Sequence, residues 1–160
     1  MQEKNKTNPG EASPPQVPGP RITTVMGFDY GARRIGVAVG NAITNSARAV
    51  EVLSNGEQGP DWQRLDALLR EWRPDALLVG LPLMLDDSEQ HNSRAARKFG
   101  GDLGRRYRLP VSLVDERHSS QEAAQRFAAR RAGGAARRKD AAALDAVAAE
   151  IIVERWLEHA

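Results

Sequence analysis

The chain contains no cysteine and only three histidines, His91, His118 and His159. Disulfides and thiolate metal sites are therefore excluded. Zinc is left with few imidazole ligands, so any metal should be a hard ion such as Mg²⁺ or Mn²⁺ held by oxygen. Aromatic residues make up only 5% of the sequence, and Trp62 and Trp72 share one amphipathic stripe; they read as core, not as platforms for stacked bases. No apolar stretch approaches the length of a membrane span, and residues 1–20 have no hydrophobic signal core. These absences predict a soluble, cytoplasmic protein without membrane contact. At 160 residues there is room for one domain with a proper core, which excludes a two-domain enzyme.

What is present is unevenly distributed. The net charge is only +2, yet residues 117–139 carry Arg117, Arg126, Arg130, Arg131, Arg137, Arg138 and Lys139 against the single acid Glu122. Residues 94–108 carry Arg94, Arg97, Lys98, Arg105, Arg106 and Arg108 against Asp102. Local basic surface of this kind suits a polyanion, although solvated faces of Arg-rich helices look the same. Residues 1–20, rich in proline and glycine, have too little apolar surface to fold and read as a disordered leader, leaving 21–160 as the domain.

Ile22 to Tyr30 and Ile35 to Val39 read as adjacent strands joined by Gly31-Ala32-Arg33-Arg34, with a third over Ala47 to Leu53. Trp62, Leu65, Leu68, Leu69 and Trp72 then recur at helical spacing until Pro74. Ala76 to Val79 and Val111 to Val114 are short continuous apolar runs, as buried strands should be. Asp87 begins a helix to about Arg108, Ser119 and Glu122 have capping-box spacing for another, and Asp140 caps a last helix to Glu158. The order β-β-β-α-β-α-β-α-α predicts an α/β fold in which three antiparallel strands are extended by crossover strands into a mixed five-stranded sheet flanked by helices.

Three carboxylates fall where burial makes charge expensive. Asp29 ends the first strand, Glu116 follows the last, and Asp145 adjoins the apolar stripe of the final helix, with Ala148, Ala149, Ile152 and Trp156 at i+3, i+4, i+7 and i+11. Converging carboxylates about 4 Å apart repel by about 4 kcal/mol at an effective dielectric of 20, so they would take up either a proton or a divalent cation. With a cation the set suits phosphodiester hydrolysis. Gly31 and Gly36 would leave space for a phosphate to approach the backbone. Spacing alone leaves the choice between Asp115 and Glu116 open, and each carboxylate also has a purely structural reading, as turn residue, salt-bridge partner or first-turn acid.

Gly27-Phe28-Asp29-Tyr30-Gly31 with Arg34-Ile35-Gly36-Val37-Ala38-Val39, Val79-Gly80-Leu81-Pro82, Asp115-Glu116-Arg117 and Asp145-Ala146-Val147-Ala148-Ala149 together resemble the YqgF/RuvX family of small bacterial nucleases, over about residues 22–158. Asp87, where the family usually has glycine, and Ser119-Ser120 are modest departures. The resemblance implies a ribonuclease H-like fold and catalytic, metal-binding roles for Asp29, Glu116 and Asp145, selecting Glu116 over Asp115. It also implies one of two activities: processing of the 5′ end of precursor 16S ribosomal RNA, free or in a pre-ribosomal particle, or resolution of four-way DNA junctions. Arg34, Arg117, Arg137, Arg138 and Lys139 would position phosphates. Junction cutting calls for a symmetric dimer, whereas RNA processing needs only a monomer or weak dimer. Two readings of other classes remain. One is a noncatalytic RNA- or ribosome-binding protein. The other is a nucleotide-binding module, which the Asp-x-Gly turn permits but a single domain cannot complete.

Overall fold

The computed structural model describes residues 22–81, 87–115, 125–126 and 140–159. The leader, residues 82–86, and the stretches 116–124 and 127–139 lie outside the described residues, and with them the helix anticipated from Ser119, except that Gln125 and Arg126 are helical.

Strands β1 (Thr24–Tyr30), β2 (Arg34–Asn41) and β3 (Ser46–Gly56) form an antiparallel meander. A two-residue strand β4 (Gly59–Pro60) folds back on the end of β3. Helix α1 (Trp62–Trp72) then crosses to β5 (Ala76–Leu81), and helix α2 (Asp87–Tyr107) crosses to β6 (Val111–Asp115). Both crossover strands run parallel to β1, and the sheet order is β4-β3-β2-β1-β5-β6. The last helix, α3, spans Asp140–Glu158. The expected five-stranded mixed sheet is therefore present, with β4 as an addition. That strand could not be seen as a pattern, because two residues have no period; Gly59, at φ 89°, closes the turn that makes it.

Strand alternation sorts the core into two layers. Met26, Phe28, Ile35, Val37, Val39, Leu77 and Val79 face α1 and α2, where Leu65, Leu68, Ala96, Phe99 and Leu103 close the layer. Val25, Ala38, Ala76 and Leu78 face the opposite way, against Ala149, Ile152 and Val153 of α3. Helix α1 starts at Asp61, whose side chain accepts from the Arg64 amide at 3.1 Å, and stops at Arg73 in the left-handed region just before Pro74. The Asp75 carboxylate then accepts from the amides of Thr23 (2.8 Å) and Thr24 (3.0 Å), which pins the connector to the start of β1 and holds the carboxyl below its usual pKa.

Helices α1 and α2 are clasped by one polar cluster. Arg106 donates to both oxygens of Asp66 (2.9 and 2.8 Å), the Tyr107 hydroxyl donates to the same carboxylate (2.6 Å), and the guanidinium lies 4.9 Å from the Trp62 ring centre. Hydrogen bonding by Arg106, then by Tyr107, lowers the Asp66 pKa to about 2. A carboxylate with a depressed native pKa stabilises the fold above its unfolded value and loses that contribution as pH falls through the native value. Asp66→Asn should therefore be less stable than wild type above about pH 4, with the gap closing as pH falls toward about 2; urea unfolding across this range measures it.

Candidate active site

On β1 the alternation that sends Phe28 and Tyr30 toward α2 turns Val25, Gly27 and Asp29 toward α3. Asp29 sits near the strand end, in register with Gly36 of β2. A Cβ on Gly36 would lie 2.0 Å from the Asp145 carbonyl oxygen, so the backbone of α3 rests directly on the position beside Asp29. The same closeness extends along the helix: a Cβ on Gly27 or Gly40 would lie within 2.5 Å or 2.3 Å of Val153 methyl groups. The backbone of Asp145 is set beside the position of Asp29, far away in sequence, because glycines on neighbouring strands let the helix approach without intervening side chains.

This corrects the reading of Gly36 as space for a phosphate, since the helix fills that space. Gly31 is likewise committed: its amide donates to the Arg34 carbonyl at 3.0 Å, and a Cβ there would lie 2.7 Å from that oxygen.

Arg34, anticipated as a phosphate ligand, opens β2 on the α3 side, and its Nε donates to Asp145 Oδ2 at 2.7 Å. The guanidinium is still 45% exposed, so it can face solvent while holding the carboxylate. Glu116, Arg117, Arg137, Arg138 and Lys139 lie outside the described residues, as does His118; β6 ends at Asp115, one residue before Glu116. Arg126, counted above with the basic segment, instead spends its charge on α3, pairing with Glu154 at 2.6 Å and Glu150 at 3.8 Å.

One positioning residue escaped the sequence reading. Asn55, just before Gly56, has the look of a turn residue, and the third strand was expected to end at Leu53. The strand instead runs on, and the Asn55 side chain is 3% exposed. Its Nδ2 donates to the Gly31 carbonyl at 2.6 Å, and its amide donates to the Arg33 carbonyl at 2.7 Å. Asn55 thus ties down both ends of the turn between Asp29 and Arg34.

The donor set suits a hard divalent cation. Both carboxylates offer oxygen only, and Asp145 already takes a cationic partner. Among the described residues no cluster of three histidine, cysteine, aspartate or glutamate side chains that could hold a metal ion occurs.

Residues 23–159 match the model of the RuvX family, described as Holliday junction resolvase. A protein of Xanthomonas euvesicatoria named "Putative pre-16S rRNA nuclease" is 60% identical over 134 residues, covering 84% of this chain and 86% of that protein. A relative of the same name from Xanthomonas axonopodis is 59% identical over the same shares. Among solved structures, Thermus thermophilus RuvC bound to a Holliday junction superposes with a TM-score of 0.53 at 17% identity, over 86% of this chain and 95% of that one. Fowlpox virus resolvase with junction DNA gives 0.51 at 11% identity, over 86% and 98%. At such identities the likeness shows the ribonuclease H-like fold.

Gly36→Ala should force α3 off its seat, destabilising the protein by about 3 kcal/mol, at the upper end for overpacking because the clash is with backbone. Asn55→Ala, which leaves the partly buried Gly31 carbonyl without its donor, should cost about 0.5–1.5 kcal/mol. Urea denaturation reads both.

Proposed function

The chain belongs to the RuvX family, and from that premise we propose that it is a metal-dependent endonuclease that hydrolyses phosphodiester bonds at the 5′ end of precursor 16S ribosomal RNA. The observation that carries this reading is the seating of Asp145 on Gly36, beside Asp29, at the end of the central strand. The relatives named for pre-16S rRNA support the choice of substrate.

In this reading Asp29, Asp145 and Glu116 hold Mg²⁺ or Mn²⁺. When bound, such an ion supplies activation of the attacking water and stabilisation of the leaving oxygen. The protein's own part is positioning. Asp29 is carried by β1, which is flanked on both sides by paired strands, so its Cα has little freedom. Asp145 is fixed from behind by the sheet and from the side by Arg34. Glu116 follows β6, which runs parallel to β1 two strands away and whose Val114 packs into the same layer as α3. Arg34, Arg117, Arg137, Arg138 and Lys139 contribute phosphate contacts, which give affinity without reading sequence. Selectivity then rests on RNA shape or on the pre-ribosomal particle.

The family description and the fold shared with junction resolvases favour a second reading, cleavage of four-way DNA by the same chemistry. That activity needs two sites related by symmetry, whereas RNA trimming needs one and is compatible with a monomer or weak dimer. No helix among the described residues is long and apolar enough to cross a membrane.

Incubating the protein with a 5′-extended 16S precursor and, separately, a four-way DNA junction, each with Mg²⁺ or Mn²⁺, decides between them. Cutting of the RNA, abolished in Asp29→Asn while its folding and RNA binding persist, is the expected result. Junction cutting alone promotes the second reading. Full activity in Asp29→Asn overturns the carboxylate assignment.

A further inference from the structure

The outer face of α2 carries a stripe of charge that no structural neighbour uses. Ala96, Phe99, Gly100, Leu103 and Tyr107 turn inward, whereas Arg94, Arg97, Lys98, Arg105 and Arg108 are exposed. At 3.6 residues per turn Arg94, Arg97, Lys98 and Arg105 fall within an arc of about 100°, opposite the buried face, and with Arg108, which follows the helix end in the left-handed region, the row covers about 20 Å. That length matches roughly six phosphates of one nucleic-acid strand.

The cations on this helix divide by role. Arg106, which points sideways, is matched by Asp66 of α1. Arg94, Arg97 and Arg108 form no ion pair among the described residues. Lys98 and Arg105 share Asp102, at 3.2 and 2.5 Å, and Arg105 folds back over Gly101 to reach it. Even so, their side chains remain 78% and 73% exposed, so each can turn outward. Spacings i,i+3 and i,i+4 put Arg94 beside Arg97 and Lys98 on the helix. Such like-charge neighbours cost a helix stability, a cost that a bound polyanion removes.

The buried side of α2 fixes where the stripe lies along the sheet. Phe99 packs on Phe28 and Tyr30, the residues flanking Asp29, while Leu109 and Pro110 lead into β6 at the opposite end of the sheet. Phe99, midway along the stripe, therefore lies at the level of Asp29, on the other face of the sheet.

We infer that the exposed face of α2 is a track for the phosphate backbone of the nucleic-acid substrate, and that Asp102, by engaging Lys98 and Arg105, holds its affinity down. The inference rests on the nuclease reading, but it concerns binding at a surface remote from the carboxylates.

The test is fluorescence anisotropy with a labelled RNA stem-loop, without divalent metal, over a series of salt concentrations. Asp102→Asn should bind about 2- to 5-fold more tightly with a steeper salt dependence, because two further cations become available to phosphates. The triple variant Arg94→Gln, Arg97→Gln, Arg108→Gln should bind about 10-fold or more weakly, with its log–log salt slope shallower by about two to three. Circular dichroism confirms that both remain folded. The inference requires both variants to move, in opposite directions; any other pattern overturns it. If wild type binds and cuts RNA but the variants match it, the track is wrong and the nuclease reading stands. If wild type neither binds nor cuts, both fall together.

Discussion

The close approach of α3 to the sheet is the constraint on which the site depends. A helix and a sheet normally keep apart by the thickness of their side chains. Here Gly27, Gly36 and Gly40 remove that thickness, and α3 settles onto the strands through Ala149, Ile152 and Val153. Burying Ile152 and Val153 completely contributes about 1.5–3 kcal/mol each, enough to keep the helix seated. The glycines decide how deep it sits. Because Asp145 lies at the point of deepest contact, the packing that stabilises the domain also delivers an acid to the side of Asp29. Stability and the placement of the proposed acids share one contact.

Much of this was legible in the sequence because the strong signals were periodic. The stripe from Trp62 to Trp72, the apolar runs at 76–79 and 111–114, and the final helix from Asp140 to Glu158 all appear where their patterns place them. The reason is physical: each buries a whole face, and burial imposes a period. The two-residue β4 and the extension of β3 through Asn55 carry no period, since pairing at a sheet edge needs only backbone. Asn55 was missed for a related reason. A buried asparagine that satisfies two carbonyls of a distant turn is written in the sequence as an ordinary turn residue.

The acids were recognisable as exceptions to the hydrophobic pattern, and family resemblance chose among them. What sequence could not give was the meaning of the glycines. A glycine beside an acidic residue at a strand end invites a ligand in the mind of the reader, yet Gly36 accommodates the protein's own helix. Charge was similarly ambiguous. Arg34, Arg106 and Arg126 looked alike as basic surface, but each has a carboxylate of its own: Asp145, Asp66 and Glu154. Which arginines are matched within the chain is decided by the fold and is not written in the charge pattern.

The Arg34–Asp145 pair has a bearing on how the molecule is made and kept. A cluster of acids that could be neutralised only by a dissolved ion would tie assembly of the domain to ion supply, as happens in small metal-built folds. Here a neighbouring strand provides a positive charge from within the chain, so helix docking does not have to wait for an ion. In the proposed reading the Arg34–Asp145 pair lets the last helix dock with its charge already matched, and a cation enters only with the substrate's chemistry.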